Sequence, residues 1–121
     1  MRDDLPLPAA LKVRRQVRSK LHDIRAYIED QRGNDPEDTT GWKVLEEIFA
    51  NLFFIRRYPW SGKQVRDLSK NYRQRRVAAS HLIYYYVNDE ANKVSVIDIR
   101  HKSQQPLKPS TLRKYKGEIP D

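Results

Sequence analysis

Apolar residues recur along the first third of the chain at helical spacing. Val13, Val17, Leu21, Ile24 and Ile28 are separated by 4, 4, 3 and 4 positions, which places them on one face of a helix. The stripe is firmest from Val17 to Ile28. Residues 11–15 therefore read either as the start of that helix or as a short strand before it. Gly33-Asn34 supplies the stop, because both residues tolerate the left-handed conformation that closes helices. A second helix begins either at Asp35, capping Pro36, or after Thr39-Thr40-Gly41. Its stripe is Val44, Leu45, Ile48, Leu52 and Ile55, widened by Phe49 and Phe53. Tyr58-Pro59 ends it, since the residue before proline is pushed out of helical geometry. Trp60 to Leu68 reads as a loop anchored by Val65 and Leu68.

Beyond Ser69 the period changes. Tyr72 to Ala79, His81 to Val87 and Val94 to His101 are rich in β-branched and aromatic residues, the signature of strands. Ala79-Ser80 and Asn88 to Asn92 are short enough to join them as an antiparallel meander. Alternation along the middle strand separates Ile83, Tyr85 and Val87 from Leu82, Tyr84 and Tyr86. The first set, with Ile97 and Ile99, is expected to pack on Leu21, Ile24, Ile28, Ile48 and Leu52. The second set is expected on a half-open face. The ends are polar. Residues 1–10, with Pro6 and Pro8, read as an extended arm. Residues 107–121 read as a polar tail, mobile apart from a helical turn capped by Ser110. The fold class is α+β, with helices on one face of a small antiparallel sheet.

Composition narrows the function. The chain has 121 residues, one domain's worth, with a mean hydropathy of -0.88. Its longest mostly apolar stretch, Ile48 to Ile55, is far short of the roughly 20 residues of a spanning helix, so no membrane partner is expected. No apolar segment follows the acidic start at Asp3 and Asp4, so a cytoplasmic protein without a secretory signal is expected. Cysteine is absent and only three histidines occur, so neither disulfides nor a metal or other cofactor are expected. The cluster Asp35, Glu37 and Asp38 suits a helix start as well as a metal.

Charge is uneven. Residues 1–55 carry 9 basic and 10 acidic side chains, and residues 56–121 carry 15 and 6, so the whole excess sits in the second half with a net of +9. Such a field draws polyanions or an acidic protein. In the first strand Arg73 and Arg75 point one way and Arg76 the other. Arg100 and Lys102 flank the last strand's end. With Tyr84 and Tyr86, these arginines supply what nucleic-acid surfaces use: cations for phosphate and rings for unpaired bases. The same tyrosines serve packing equally well, and the arginines guard a sheet edge. Histidine is the side chain whose ordinary pKa lies nearest neutrality, and His81 and His101 are the two candidates here. Either suits general acid–base cleavage of a phosphodiester, or a structural strand end.

In their order, these segments resemble the RelE/ParE superfamily of type II toxin–antitoxin toxins. The resemblance is carried by Tyr72-Arg73-Gln74-Arg75-Arg76-Val77, Leu82-Ile83-Tyr84-Tyr85-Tyr86-Val87 and Val94-Ser95-Val96-Ile97-Asp98-Ile99-Arg100-His101. Leu21, Ile24, Tyr27 and Ile28 fit the first helix, and Tyr58-Pro59 with Gly62, Val65 and Leu68 fit its link to the sheet. It covers residues 11–106 and favours a strand at 11–15. It implies a short N-terminal strand, two antiparallel helices packed on the sheet, and an acidic antitoxin lying across helices and sheet.

The function implied divides. RelE-like members cleave mRNA in the ribosomal A site, whereas ParE-like members poison DNA gyrase. Arg73 and Arg75 match the cleaving branch, but Leu82 stands where that branch carries an arginine, and no tyrosine lies near Lys108. His101 at the end of the last strand is closer to the ParE-like pattern. The resemblance thus favours a ParE-like toxin. The alternatives are a ribosome-dependent ribonuclease with His101 as acid or base, and a non-toxic nucleic-acid-binding relative.

Overall fold

The apolar stripes and strand runs assemble as two helices, a five-stranded sheet and a third helix. The structure is a computed structural model and describes residues 8–34, 40–77 and 80–120. Strand β1 (Ala10–Val13) leads into α1 (Arg15–Asn34), followed by α2 (Thr40–Arg57). A single 3-10 turn, Pro59–Ser61, precedes β2 (Lys63–Gln64), β3 (Tyr72–Val77), β4 (His81–Asn88), β5 (Lys93–His101) and α3 (Pro109–Gly117). The sheet order is β1-β5-β4-β3-β2, with β1 parallel to β5 and the other pairs antiparallel. No helix among the described residues is long and apolar enough to cross a membrane.

Several boundaries follow the sequence. Residues 11–13 are strand because β5 supplies ladder partners, Leu11 against Val94 and Val13 against Val96. α1 ends at Asn34 and α2 stops before Tyr58-Pro59. Asp35, Pro36, Glu37 and Asp38, proposed above as a cap or an acidic cluster, lie outside the described residues. The Asn88 to Asn92 loop closes with Asn92 at φ 47°, a left-handed position asparagine accepts. Of the expected N-terminal arm, residues 1–7 lie outside the described residues, and Ala9 is tied to the end of α2. Ala9 N donates to Arg56 O at 2.9 Å, and Arg56 Nε returns a bond to Ala9 O at 3.0 Å. The loop after α2 also contains the two-residue β2, paired to Gln74 and Arg73.

The main core lies between α1, α2 and one sheet face. Val17, Leu21, Ile28, Leu45, Ile48, Leu52 and Ile55 meet Val77, Ile83, Tyr85, Val87, Val94, Val96 and Ile99. Each such side chain, fully buried, contributes about 1.5–3 kcal/mol. Phe49 and Phe53 do not widen this stripe as expected. Phe53 is 64% exposed and Phe49 43%, because a helix lying on a sheet buries a stripe only about 100° wide. Tyr85 is the largest fully buried side chain. Its Oη donates to Pro59 O at 2.7 Å and accepts from Gly62 N at 2.9 Å. Burial pushes this phenol's pKa up, with the Gly62 bond opposing. Gly62 has to lack a side chain, since a Cβ there would fall within 2.7 Å of Gln74 O and run into Tyr85 Oη.

One strand departs from simple alternation. Tyr84 pairs with Asp98 but Tyr85 pairs with Val96, so Ile97 is the extra residue of a bulge. Ile97 is therefore turned away from α1 and α2, contrary to the sequence expectation, and Val94 and Val96 take the inner positions with Ile99. A bulge reverses the parity of every residue on one side of it, which strict alternation does not allow for.

The second face is covered as well. Leu112 and Ile119, on and just after α3, pack with Val65, Leu68, Tyr84 and Ile97, flanked by Tyr72, Leu82, Tyr86, Leu107 and Tyr115. The mobile tail and half-open face expected from the sequence are thus replaced by a docked helix over a closed face. Leu112 alone carries no period, so a nine-residue polar helix with one deep anchor does not announce itself. Buried charge holds it: Arg14 Nη1 contacts Glu118 Oε1 at 3.1 Å, and the Arg14 guanidinium lies 4.0 Å from the Tyr115 ring centre. Arg14 Nε donates to Ile97 O at 2.7 Å. Asp98, also buried, faces Lys20 at 3.1 Å, Arg14 at 3.8 Å and Arg100 at 3.9 Å.

Candidate functional site

Strand register decides where the candidate residues go. Across β3 and β4, Arg73 pairs with Tyr85 and Arg75 with Ile83, whereas Arg76 pairs with Leu82. Arg73 and Arg75 therefore share the face of the main core, at its margin, and Arg76 shares the α3 face. Arg75 Nε donates to Asn51 Oδ1 on α2 at 2.7 Å, and its guanidinium lies 4.3 Å from the Phe54 ring centre. Arg73 donates to Lys70 O at 2.7 Å and Gly62 O at 3.0 Å, and sits 5.0 Å from the Trp60 ring centre.

The tyrosines expected beside these arginines lie on the opposite face. Tyr84 is 2% exposed, so its ring has no side open to a base; its Oη accepts from Leu107 N at 3.4 Å. Tyr86 is half-buried, edge-on to Tyr72 at 4.9 Å, with Lys116 Nζ 4.8 Å from its ring centre. Arg100 Nη2 donates to Gln105 O at 2.9 Å while Nη1 faces Asp98, so its charge is turned toward the fold.

What the register does bring together is a small cleft where β4 begins and β5 ends. It has a volume of about 180 Å³ and is lined by Arg76, His81, Leu82, Tyr84, His101, Lys102, Gln104 and Pro106. His81 pairs directly with His101, and their rings meet edge to face at 5.1 Å. His81 Nδ1 lies 2.8 Å from Ser80 Oγ, and His101 Nδ1 lies 2.7 Å from Ser103 Oγ. Lys102 N donates to Ser80 O at 2.7 Å and closes the end of the hairpin. Burial, then the neighbouring His101 and then Lys20 lower the His81 pKa below its ordinary 6.5, so His81 is neutral at neutral pH. No carboxylate lines the cleft, so it suits an anion. Among the described residues no cluster of metal-ligating side chains occurs.

The sequence reading missed the aromatic partners of Arg73 and Arg75. They are Phe54 and Trp60, which α2 and the 3-10 turn bring to the outer margin of β3. The signal was the alternation of rings and cations between Phe53 and Lys63, whose placement depends on how α2 crosses the sheet.

A sequence model of the family described as "ParE toxin of type II toxin-antitoxin system, parDE" matches residues 11–106. No curated protein matches the chain. Two solved structures share the fold. One is the toxin–antitoxin complex RelBE2 from Mycobacterium tuberculosis, 18% identical, covering 81% of this chain and 95% of that one, with a TM-score of 0.56. The other is a double-arginine mutant of the Escherichia coli toxin RelE in the free state, 16% identical, covering 77% and 82%, with a TM-score of 0.54. The order of strand, two helices and meander, matched in sequence over four-fifths of the chain and in three dimensions by two such toxins, places it in one family: it belongs to the ParE toxins of type II toxin–antitoxin systems, within the RelE/ParE superfamily.

Proposed function

We propose that this toxin is ParE-like, acts on DNA gyrase and is neutralised by an acidic antitoxin. The observation that carries the reading is the dispersal of the cations a cleaving site needs. Arg73 and Arg75 are committed to Gly62 O and Asn51 on the helix side, Arg100 is turned toward Asp98, and Leu82 occupies the cleft position next to Arg76. One preorganised donor aimed at developing charge is worth about 100- to 1,000-fold in rate, and Arg73, Arg75 and Arg100 do not line this cleft. The +9 second half of the chain favours an acidic partner; its binding should weaken as salt rises. The RelBE2 neighbour, a toxin–antitoxin complex, supports such a partner.

Controlled expression in a bacterium, with DNA supercoiling and protein synthesis followed separately, tests the reading. Loss of gyrase supercoiling with translation initially intact is the expected outcome. A second reading, ribosome-dependent mRNA cleavage, is favoured by the His81–His101 cleft with Arg76 and Lys102. Codon-specific cuts on translating ribosomes that vanish in His101→Ala would establish it and overturn the gyrase reading.

A further inference from the structure

Nearly all the protein's excess charge lies in one stretch. Residues 51–76 hold eight Lys or Arg against a single acid, Asp67, a net of +7 out of +8 for the whole chain. The stretch runs from the last turns of α2 through the 3-10 turn and β2 to β3, and these elements pack against one another. Among the described residues, none of its eight cations takes part in an ion pair; the pairs present involve Arg14, Lys20, Arg25 and Arg100. Unneutralised cations on a surface are what a phosphate chain exchanges for its counterions.

The same surface carries aromatic rings facing water. Trp60 is 38% exposed and Tyr58 52%. Rings and guanidinium groups alternate: Arg75 lies against Phe54, Phe54 lies 4.9 Å from Tyr58, and Trp60 is flanked by Arg73 at 5.0 Å and Lys70 at 5.8 Å. Arg73 and Arg75 are held by Gly62 O and Asn51 Oδ1, so the array is set before any ligand arrives, which lowers the entropy lost on binding.

From this array we propose that the outer margin of β3, with the end of α2 and the 3-10 turn, binds single-stranded nucleic acid. The cations track the phosphates, and Trp60, Tyr58 and Phe54 offer faces on which unpaired bases stack. An acidic polypeptide would satisfy the charge but leave the exposed rings without stacking partners. A duplex would satisfy the charge too, but its bases are already stacked on one another. Nothing in the array reads a sugar hydroxyl, so DNA and RNA single strands should bind alike. Arg76, the one cation of the stretch that lines the His81–His101 cleft on the other face, is not part of this array, and the proposal does not rest on the gyrase reading.

Fluorescence anisotropy of the full chain with labelled dT15, U15 and a 15-base-pair duplex tests it. Both single strands should bind more tightly than the duplex. Trp60→Ala should weaken binding about 5- to 150-fold, the loss of one stacked base. Lys70→Gln should lower the slope of log affinity against log salt by about 0.7, one phosphate contact. Phe49→Ala, an exposed ring outside the array, should change nothing, and circular dichroism checks that each variant is folded. Equal affinity for the duplex, indifference to Trp60→Ala, or equally effective competition by polyglutamate of matched charge would overturn the proposal. Supercoiling assays on the same variants are read independently, so failure of one reading leaves the other standing.

Discussion

The two faces of the sheet are closed by different physics. Against α1 and α2 the contact is chiefly apolar, built from seven helix and seven strand side chains of the main core, with Tyr85 Oη satisfied at Pro59 and Gly62 and polar bonds at its margin from Arg75 to Asn51 and from Lys20 to Asp98. Under α3 the apolar contact is smaller and leans on charge: Arg14 reaches Glu118, Tyr115 and Asp98 at once. Burying an ion pair recovers little net free energy, because desolvation offsets most of the attraction. The first face therefore holds the fold, whereas α3 is the element whose local opening should cost least.

The largest effect expected is on the first face. Tyr85→Ala removes a fully buried ring and should cost about 3–5 kcal/mol in urea unfolding. A loss within the assay's error would mean that Tyr85 does not lie in the main core. A smaller effect, near the low end of about 2–5 kcal/mol for a buried leucine, is expected from Leu112→Ala. It should appear first as faster amide exchange confined to α3, with α1 and α2 still protected. Uniform acceleration across all three helices would erase the contrast between the faces.

The smallest effect concerns pH at the sheet's end. The folded pKa of His81 is lowered, first by burial, then by His101 and Lys20, so the unfolded chain binds its proton more readily. The contribution is fully present above the ordinary value of 6.5 and is lost as pH falls below it toward the folded pKa. Urea midpoints at pH 7.5 and 5.5 should therefore converge in His81→Asn relative to the unmodified protein. An unchanged difference would assign the acid sensitivity to other groups.

Much of this architecture is legible in the residues. Steps of three and four from Val17 to Ile28, the break at Gly33-Asn34, the stop at Tyr58-Pro59 and three alternating runs after Ser69 are local signals, and local signals are what a periodic backbone can express. The charge imbalance and the resemblance from Leu11 to Pro106 are legible for the same reason. Four things were not. The bulge at Ile97 exchanges inner and outer positions along β5. The register of β3 sends Arg73 and Arg75 to the α2 side, away from Tyr84. Leu112 becomes buried only because Tyr84 and Ile97 are there to meet it. Trp60 and Phe54 gain their arginines only because α2 crosses the sheet beside β3. Each depends on which residue stands opposite which at a separation of tens of positions, and a one-residue shift in pairing is silent in the periodicity of either partner while it changes every neighbour.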